Sequence, residues 1–308
     1  MKLEDKIYIA GHRGFVGKSL VETLRSQGFK NLILRNRSQL NLLSQQGVSQ
    51  FFLEERPDYV ILAAARVGGI GINQVKKAEF IYENLTIQNN VIHESYRNGV
   101  KKLLFLGSSC IYPRDCRQPI REEYLLSGPL EPTNDAYALS KIAGIFMCKS
   151  YRSQYGADFI SCMPSNLYGP GDNFDLDTSH VLAALIHRFH LAKINRSTSV
   201  TLWGTGSPRR EMLYVDDLAR GCIDLMKHYS SEEPINIGCG VDYTISELAD
   251  LAREVVGFSG EIQWDSTHAD GTPRKLLDCS RISELGWQPE MGLRSGIEKT
   301  YQWFVDQI

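Results

Sequence analysis

Residues 7–17 read Ile-Tyr-Ile-Ala-Gly-His-Arg-Gly-Phe-Val-Gly. A short β-branched run, Lys6–Gly11, ends on a glycine. Gly11, Gly14 and Gly17 then lead into residues 14–28, whose apolar positions recur at helical spacing until a closing glycine. Strand, glycine turn and helix in that order suit a dinucleotide. The glycines permit a tight turn and close backbone approach, and the helix N-terminus offers amide donors to a pyrophosphate. The spacing is G-x-x-G-x-x-G rather than G-x-G-x-x-G, so the reading rests on the flanking strand and helix.

Working outward, the pattern repeats. Further strands are expected at residues 31–37, 58–65, 101–109 and from 158, separated by helices at 45–57, 79–99 and 136–156. Strands alternating with long helices specify a parallel sheet covered on both faces. After Pro170 the order changes. A polar stretch at 171–180 precedes a helix at 181–193, two short strands around a turn at 199–215, a helix at 216–229 and a strand at 234–240. A helix at 244–257, a strand near 260–265 and a last helix at 295–308 complete the chain. The expected class is α/β: a Rossmann-type doubly wound parallel sheet over residues 1–170, with a returning segment near 205–240. A smaller α/β substrate domain is expected mainly over 171–308.

Composition narrows the function. Of 308 residues, 43% are hydrophobic and 23% charged, with a formal net charge of -2, so no basic excess marks a nucleic-acid or anionic-membrane binder. Seven cysteines at irregular spacing include no CxxC pair, which fits reduced thiols better than a disulfide framework or zinc. The N-terminus enters a strand almost at once, and no run reaches the ~18 apolar residues of a membrane span. A cytoplasmic protein is expected.

The second strand ends in Arg35 and Arg37, where an NAD-preferring site usually carries an acid, and Arg13 lies inside the glycine loop. Guanidinium groups suit a 2′-phosphate, so NADPH/NADP+ is the expected cofactor, held by Arg13 and Arg37; Arg35 is either solvated or a third contact.

In "YALSK", Tyr137 and Lys141 are four apart on a predicted helix and share a face. A neighbouring ammonium is expected to lower the phenol from its ordinary ~10, bringing proton exchange nearer neutral pH. Ser108 stands at the mouth of the strand "KKLLFL". Glycine loop, strand-end serine and YxxxK together resemble the extended short-chain dehydrogenase/reductase family, over nearly the whole chain. That resemblance implies that Tyr137 is the acid/base and that Lys141 binds the nicotinamide ribose. It implies that Ser108, four residues before Tyr112, bonds the reacting carbonyl. It also implies cofactor contacts from Gly11, Arg13, Gly14, Phe15, Val16 and Gly17, from Arg37, Asn41 and Leu42, and from Pro164, Asn166, Leu167 and His180.

"GSSCIYP" adds Cys110, and "DTSHVL" adds His180. One branch of the family carries both, and it acts on GDP-4-keto-6-deoxymannose by 3,5-epimerisation followed by NADPH-dependent 4-reduction to GDP-L-fucose. "AAARVGGI", "EPTNDAYALSKIAG", "NLYGPGDNF" and "DGTPRKLLD" are similar to that branch too. The chemistry accounts for the residues. A 4-keto group makes the C3 and C5 protons acidic, and inversion needs a base on one face and an acid on the other. A thiol (~8.5) and an imidazole (~6.5) both exchange protons near neutrality. By the resemblance, Cys110 removes a proton and His180 returns one, while Ser108 and Tyr137 hold the enolate oxygen. Substrate contacts are implied at Arg188, Trp203 and Arg210, with Arg209 as an alternative to the last, and at Asp270 or Lys275. His187 and His190 lack the partners of a metal site, and no metal is expected.

Two other readings share these residues: another nucleotide-sugar epimerase or dehydratase, and a non-catalytic NADP-binding regulatory protein. The Ser-Cys-Ile that follows Ser108 differs from the acidic pair of the dehydratases. A homodimer is expected from the resemblance, through the helices at 79–99 and 136–156.

Overall fold

The computed structural model describes residues 1–176, 178–268 and 270–308. In the first half strands alternate with helices, with two helices in succession between β3 and β4: β1 (Ile7–Ala10), α1 (Phe15–Ser26), β2 (Leu32–Ile33), α2 (Gln45–Glu55), β3 (Tyr59–Leu62), α3 (Ile70–Val75), α4 (Lys77–Arg97), β4 (Lys102–Leu106), α5 (Asp135–Tyr155) and β5 (Phe159–Pro164). The second half holds β6 (Asn166–Tyr168), α6 (Val181–Ile194), β7 (Ser199–Trp203), β8 (Arg209–Tyr214), α7 (Val215–His228), β9 (Ile235–Ile237), β10 (Asp242–Thr244), α8 (Ile245–Val256), β11 (Glu261–Asp265), β12 (Arg274–Lys275), α9 (Ser280–Glu284) and α10 (Leu293–Val305).

Side-chain alternation along β1 builds the central layer. Ile7 and Ile9 enter a core with Leu20 and Leu24 of α1 and Leu218 and Cys222 of α7. Tyr8 and Ala10 enter the opposite core, with Phe52 of α2, Val91 of α4 and Ile145 of α5. Burial on both faces is why these strands read as continuous apolar runs. The six-stranded sheet is parallel throughout, in the order β2-β1-β3-β4-β5-β9. The chain steps from β1 outward to β2 and then to the other side at β3, so a crevice opens at the strand ends between β1 and β3, where ligands bind in such sheets.

A third core joins Leu185 and Phe189 of α6, Leu248 and Ala252 of α8, and Ile297 and Phe304 of α10. It covers a sheet in which β8 pairs with β6, β10 and β12. Local rules delimit these helices: α8 opens with a Thr244–Glu247 capping box and closes at Gly257, φ +76°.

One expectation is corrected and two gain detail. The second strand spans only Leu32–Ile33, not 31–37, because Asn36 folds the chain into a turn, accepting from the Ser38 and Gln39 amides at 3.0 and 3.1 Å. The two strands of 199–215 form no hairpin: β7 pairs with β11 and β8 with other partners, since Gly204 and Gly206, φ +84° and +75°, turn the chain away. The strand from 158 breaks after Pro164, and Asn166–Tyr168 joins β8.

Asn236 on β9 ties the two halves together. Its buried amide donates to the Ile120 and Asp278 carbonyls at 2.9 and 3.1 Å and accepts from the Tyr112 hydroxyl at 2.6 Å. The loop after β4 is thereby bound to the C-terminal segment. No helix among the described residues is long and apolar enough to cross a membrane.

Candidate active site

The glycine loop lies at the β1–β3 crevice. Gly11 holds φ +88°, and a Cβ there would stand 2.8 Å from the Ala64 backbone; one on Gly17 would stand 2.1 Å from the Gly11 carbonyl. Gly14 is less confined, at 3.3 Å from the same oxygen. Gly14 caps α1 with no side-chain bond, and the first turn of α1, with Phe15 and Val16, carries no acid. That end of the helix is left as an anion cradle. Arg13 and Arg37 are exposed and make no hydrogen bond or ion pair among the described residues. Arg35 instead pairs with Glu55 and donates to the Leu34 carbonyl at 3.1 Å. The Asn41–Leu42 turn is fastened by Asn90, which donates to the Leu42 carbonyl at 2.9 Å. Pro164, Asn166 and Leu167 stand where β5 hands over to β6. The crevice thus fits a phosphorylated dinucleotide: a glycine backbone that no side chain crowds, and two unpaired guanidiniums.

The two serines after β4 part company. Ser109 is buried, while Ser108 is half-exposed and its Oγ accepts from the Cys110 amide at 3.2 Å. Tyr137 and Lys141 lie on α5, the lysine buried beneath the tyrosine. The expected tuning of the phenol by Lys141 is corrected. Lys141 Nζ donates to the Leu106 carbonyl at 2.7 Å and lies 5.8 Å from the Tyr137 ring centroid. Burial pushes the phenol well above its ordinary range, the charge of Cys110 adds to this, and a hydrogen bond from Ser108 opposes it. Lys141 itself is pushed down to about 8 by burial.

Cys110 sits on a single 3₁₀ turn, Ser109–Ile111. Its Sγ accepts from Lys275 Nζ and from Asn134 Nδ2, each at 3.3 Å. Burial pushes the thiol up, but the charge of Lys275, hydrogen bonds from Ser108 and Lys275, and the charge of Arg210 outweigh it and leave the thiol below its ordinary value. His180 occupies the N-cap position of α6 yet makes no capping bond. The residue is reached by solvent, while surrounding protein atoms and then Lys275 push the imidazole down. Its loop is anchored by the Gly69 amide, which donates to the Thr178 carbonyl at 3.1 Å.

The expected substrate residues divide. Arg188 lies over the Trp203 ring at 5.5 Å, and Trp203, 60% exposed, stacks on His268 at 4.3 Å. Arg210 is half-buried and donates to the Arg209 and Asp270 carbonyls at 2.8 and 3.5 Å. Arg209 is drawn off by Asp242 at 3.0 Å, which leaves Arg210 as the guanidinium near Cys110. The Asp270 carboxylate is engaged by the Thr205 amide and hydroxyl, both at 2.8 Å. Lys275 stands opposite Arg210 in the β12–β8 ladder. His187 and His190 bond the Phe174 carbonyl and the Tyr301 hydroxyl at 2.6 and 3.1 Å.

Sequence reasoning missed Asn134. Its signal is its place three residues before Tyr137, one helical turn away at the N-cap of α5. It also missed Glu131, buried in the same segment, which accepts from the Thr272 hydroxyl at 3.4 Å and pairs with Arg114 at 3.5 Å.

Residues 7–238 match the model of the NAD dependent epimerase/dehydratase family. The chain is 57% identical to putative GDP-L-fucose synthase 2 of Arabidopsis thaliana over 303 residues, covering 98% of this chain and 92% of that one. The fold superposes with a TM-score of 0.95 on a GDP-6-OMe-4-keto-L-xylo-heptose reductase from C. jejuni, at 42% identity, covering 100% of this chain and 99% of that one. It superposes at 0.91 on a GDP-L-fucose synthetase from Naegleria fowleri bound to NADP, at 30% identity over 100% and 96% of the two chains.

Proposed function

The chain belongs to the NAD dependent epimerase/dehydratase family, and from that premise we propose that it converts GDP-4-keto-6-deoxymannose to GDP-L-fucose by 3,5-epimerisation and 4-reduction. The observation that carries this reading is Cys110 beside Ser108 and Tyr137, with Lys275 on its sulfur. A reductase that only moved hydride would have no use for a stabilised thiolate next to the carbonyl site.

In this reading the six-stranded unit binds NADPH and the C-terminal unit binds the sugar nucleotide. Gly11, Gly14 and Gly17 with Phe15 and Val16 receive the pyrophosphate. Arg13 and Arg37 receive the 2′-phosphate, with Asn41 and Leu42 beside them. Lys141, Pro164, Asn166, Leu167 and His180 surround the nicotinamide end. NADPH, when bound, supplies the hydride that reduces C4.

The chain's own groups do the rest. Cys110 takes a proton from a carbon next to the ketone; the electron pair moves onto the carbonyl oxygen, where the Ser108 and Tyr137 hydroxyls meet it. His180 returns a proton on the other face. Tyr137, kept neutral by burial, then protonates the C4 oxygen during reduction. Arg188 and Arg210 suit the diphosphate and Trp203 a ring face, with Asp270 ordering their loop and Lys275 facing both sulfur and sugar.

The protein acts in the cytoplasm as a homodimer. The latter is supported by exposed Tyr82 on α4 and exposed Leu139 and Phe146 on α5, an apolar face suited to a second copy.

The test is turnover of GDP-4-keto-6-deoxymannose with NADPH in D2O. The expected product is GDP-L-fucose labelled at C3 and C5. Reduction without label marks a 4-reductase alone, and no NADPH oxidation despite cofactor binding rejects the substrate.

A further inference from the structure

Cys110 is gripped by two side chains, one 24 residues and the other 165 residues further along the chain. Asn134 Nδ2, at the N-cap of α5, and Lys275 Nζ, on β12, each lie 3.3 Å from Sγ. A neutral thiol offers a sulfur little reason to attract two N–H donors at once, because it is a weak acceptor; a thiolate accepts both. We propose that Lys275 and Asn134 are positioning residues that hold Cys110 as an aligned thiolate, so that the proton-exchanging base exists before substrate arrives. The inference rests on the reading that Cys110 is that base.

Lys275 is placed to do this with little freedom of its own. Its strand is paired on one side with β8, Lys275 opposite Arg210. On the other side it is zipped to residues 118–120. Gln118 accepts from the Leu276 amide at 2.9 Å and donates to the Arg274 carbonyl at 3.2 Å, and the Ile120 amide donates to the Leu276 carbonyl at 2.7 Å. A backbone held on both edges directs the lysine stem toward the sulfur. One turn earlier, Glu131 accepts from the Thr272 hydroxyl at 3.4 Å. The segment that carries Asn134 is thus latched to the segment that carries Lys275.

Asn134 shows the same purpose from the other side. Its Oδ1 is buried with no hydrogen-bond partner among the described residues, so the amide serves the sulfur at the expense of its own oxygen. An asparagine placed only to cap α5 would bond the helix, and this one makes no capping bond.

The charged and titratable groups that face Cys110 are Lys275 and Arg210 from the C-terminal unit and Tyr137 from α5, with the Ser108 hydroxyl alongside. Both cations favour the thiolate, and Tyr137 is neutral in the working range. Glu131 and Asp270 face Arg210.

The test reads the sulfur directly and needs no sugar nucleotide. Intact protein is treated with iodoacetamide across a pH series, and alkylation of the Cys110 peptide is followed by mass spectrometry. The wild type is expected to show a midpoint below the ordinary ~8.5 of a thiol. Lys275→Met is expected to raise it by about one unit or more, the usual effect of losing an opposite charge at contact distance. Lys275→Arg should stay near wild type, and Asn134→Ala should shift it upward by less. NADPH binding by each variant reports a folded protein. An unchanged midpoint in both Lys275→Met and Asn134→Ala overturns the proposal and leaves Lys275 to the diphosphate alone. If the midpoint moves but GDP-4-keto-6-deoxymannose is not turned over, the proposed substrate falls and the assignment of Lys275 and Asn134 stands.

Discussion

Lys141 gives its ammonium to the Leu106 carbonyl at 2.7 Å and not to the Tyr137 hydroxyl one helical turn above it. The two residues therefore titrate apart. Burial holds the phenol neutral, and burial brings the lysine down to about 8. Lys141 loses its charge as pH rises through that value, since its folded value lies below the ordinary one. NADPH affinity is thus expected to weaken above about pH 8 in the wild type and to be weaker and flat in Lys141→Met. Tyr137→Phe should bind NADPH normally and lose roughly 10²-fold or more in reduction rate. Fluorescence titration and stopped-flow reduction check both; an identical pH dependence in Lys141→Met would reject the role given to the lysine.

Arg13 and Arg37 are the guanidiniums left unpaired beside the glycine loop, while Arg35 is held by Glu55. Replacing both Arg13 and Arg37 with serine should weaken NADPH binding by roughly 10- to 100-fold, the range of a lost charge-assisted bond or two, and change NADH binding little. Arg35→Ser should leave the preference for NADPH intact. Calorimetric titration of the two nucleotides distinguishes these outcomes, and a larger effect from Arg35 contradicts the assignment.

The three loop glycines are unequal. A methyl on Gly17 would meet the Gly11 carbonyl at 2.1 Å, and a methyl on Gly14 would meet it at 3.3 Å. Gly17→Ala must displace backbone and should cost about 3 kcal/mol or more. Gly14→Ala should cost no more than about 1 kcal/mol. Urea unfolding of the two variants settles the contrast, and equal losses would show that the loop yields more easily than its geometry implies.

Glu211, 1% exposed, accepts from the Gly240 and Leu277 amides at 2.6 and 2.9 Å, and burial raises it to about 7. Its folded value lies above its unfolded one. Between about pH 4.5 and 7 the native state holds the extra proton, so stability from this group is full below that window and is lost as pH rises through it. The loss amounts to up to about 3 kcal/mol. Glu211→Gln should flatten this part of the pH–stability curve. Urea melts at pH 5 and 7.5 compare the two proteins, and parallel curves would remove Glu211 as the source.

What the sequence determined by itself was whatever depends on near neighbours in the chain. Burial on both faces makes the central strands continuous apolar runs, so β1, β3, β4 and β5 were legible, as were α1, α2, α4 and α5 between them; the short α3 was not. The glycine loop was legible because its three glycines fall within seven residues between a strand signal and a helix signal, and Tyr137 and Lys141 because helical spacing puts them on one face. Cys110 and His180 were singled out through resemblance alone; nothing in their spacing relates them.

Tertiary structure decided everything carried by long-range pairing. The short extent of β2, and the separate partners of β7 and β8, follow from turn bonds at Asn36 and left-handed glycines at 204 and 206. That Arg209 turns to Asp242 while Arg210 faces Cys110 is likewise a matter of partners distant in sequence. The departure of Lys141 from Tyr137 follows from a carbonyl 35 residues earlier, and the grip on Cys110 from a lysine 165 residues later. Such partners leave no local period in the sequence, because a hydrogen bond is set by distance in space, and only the packed cores bring these distances about.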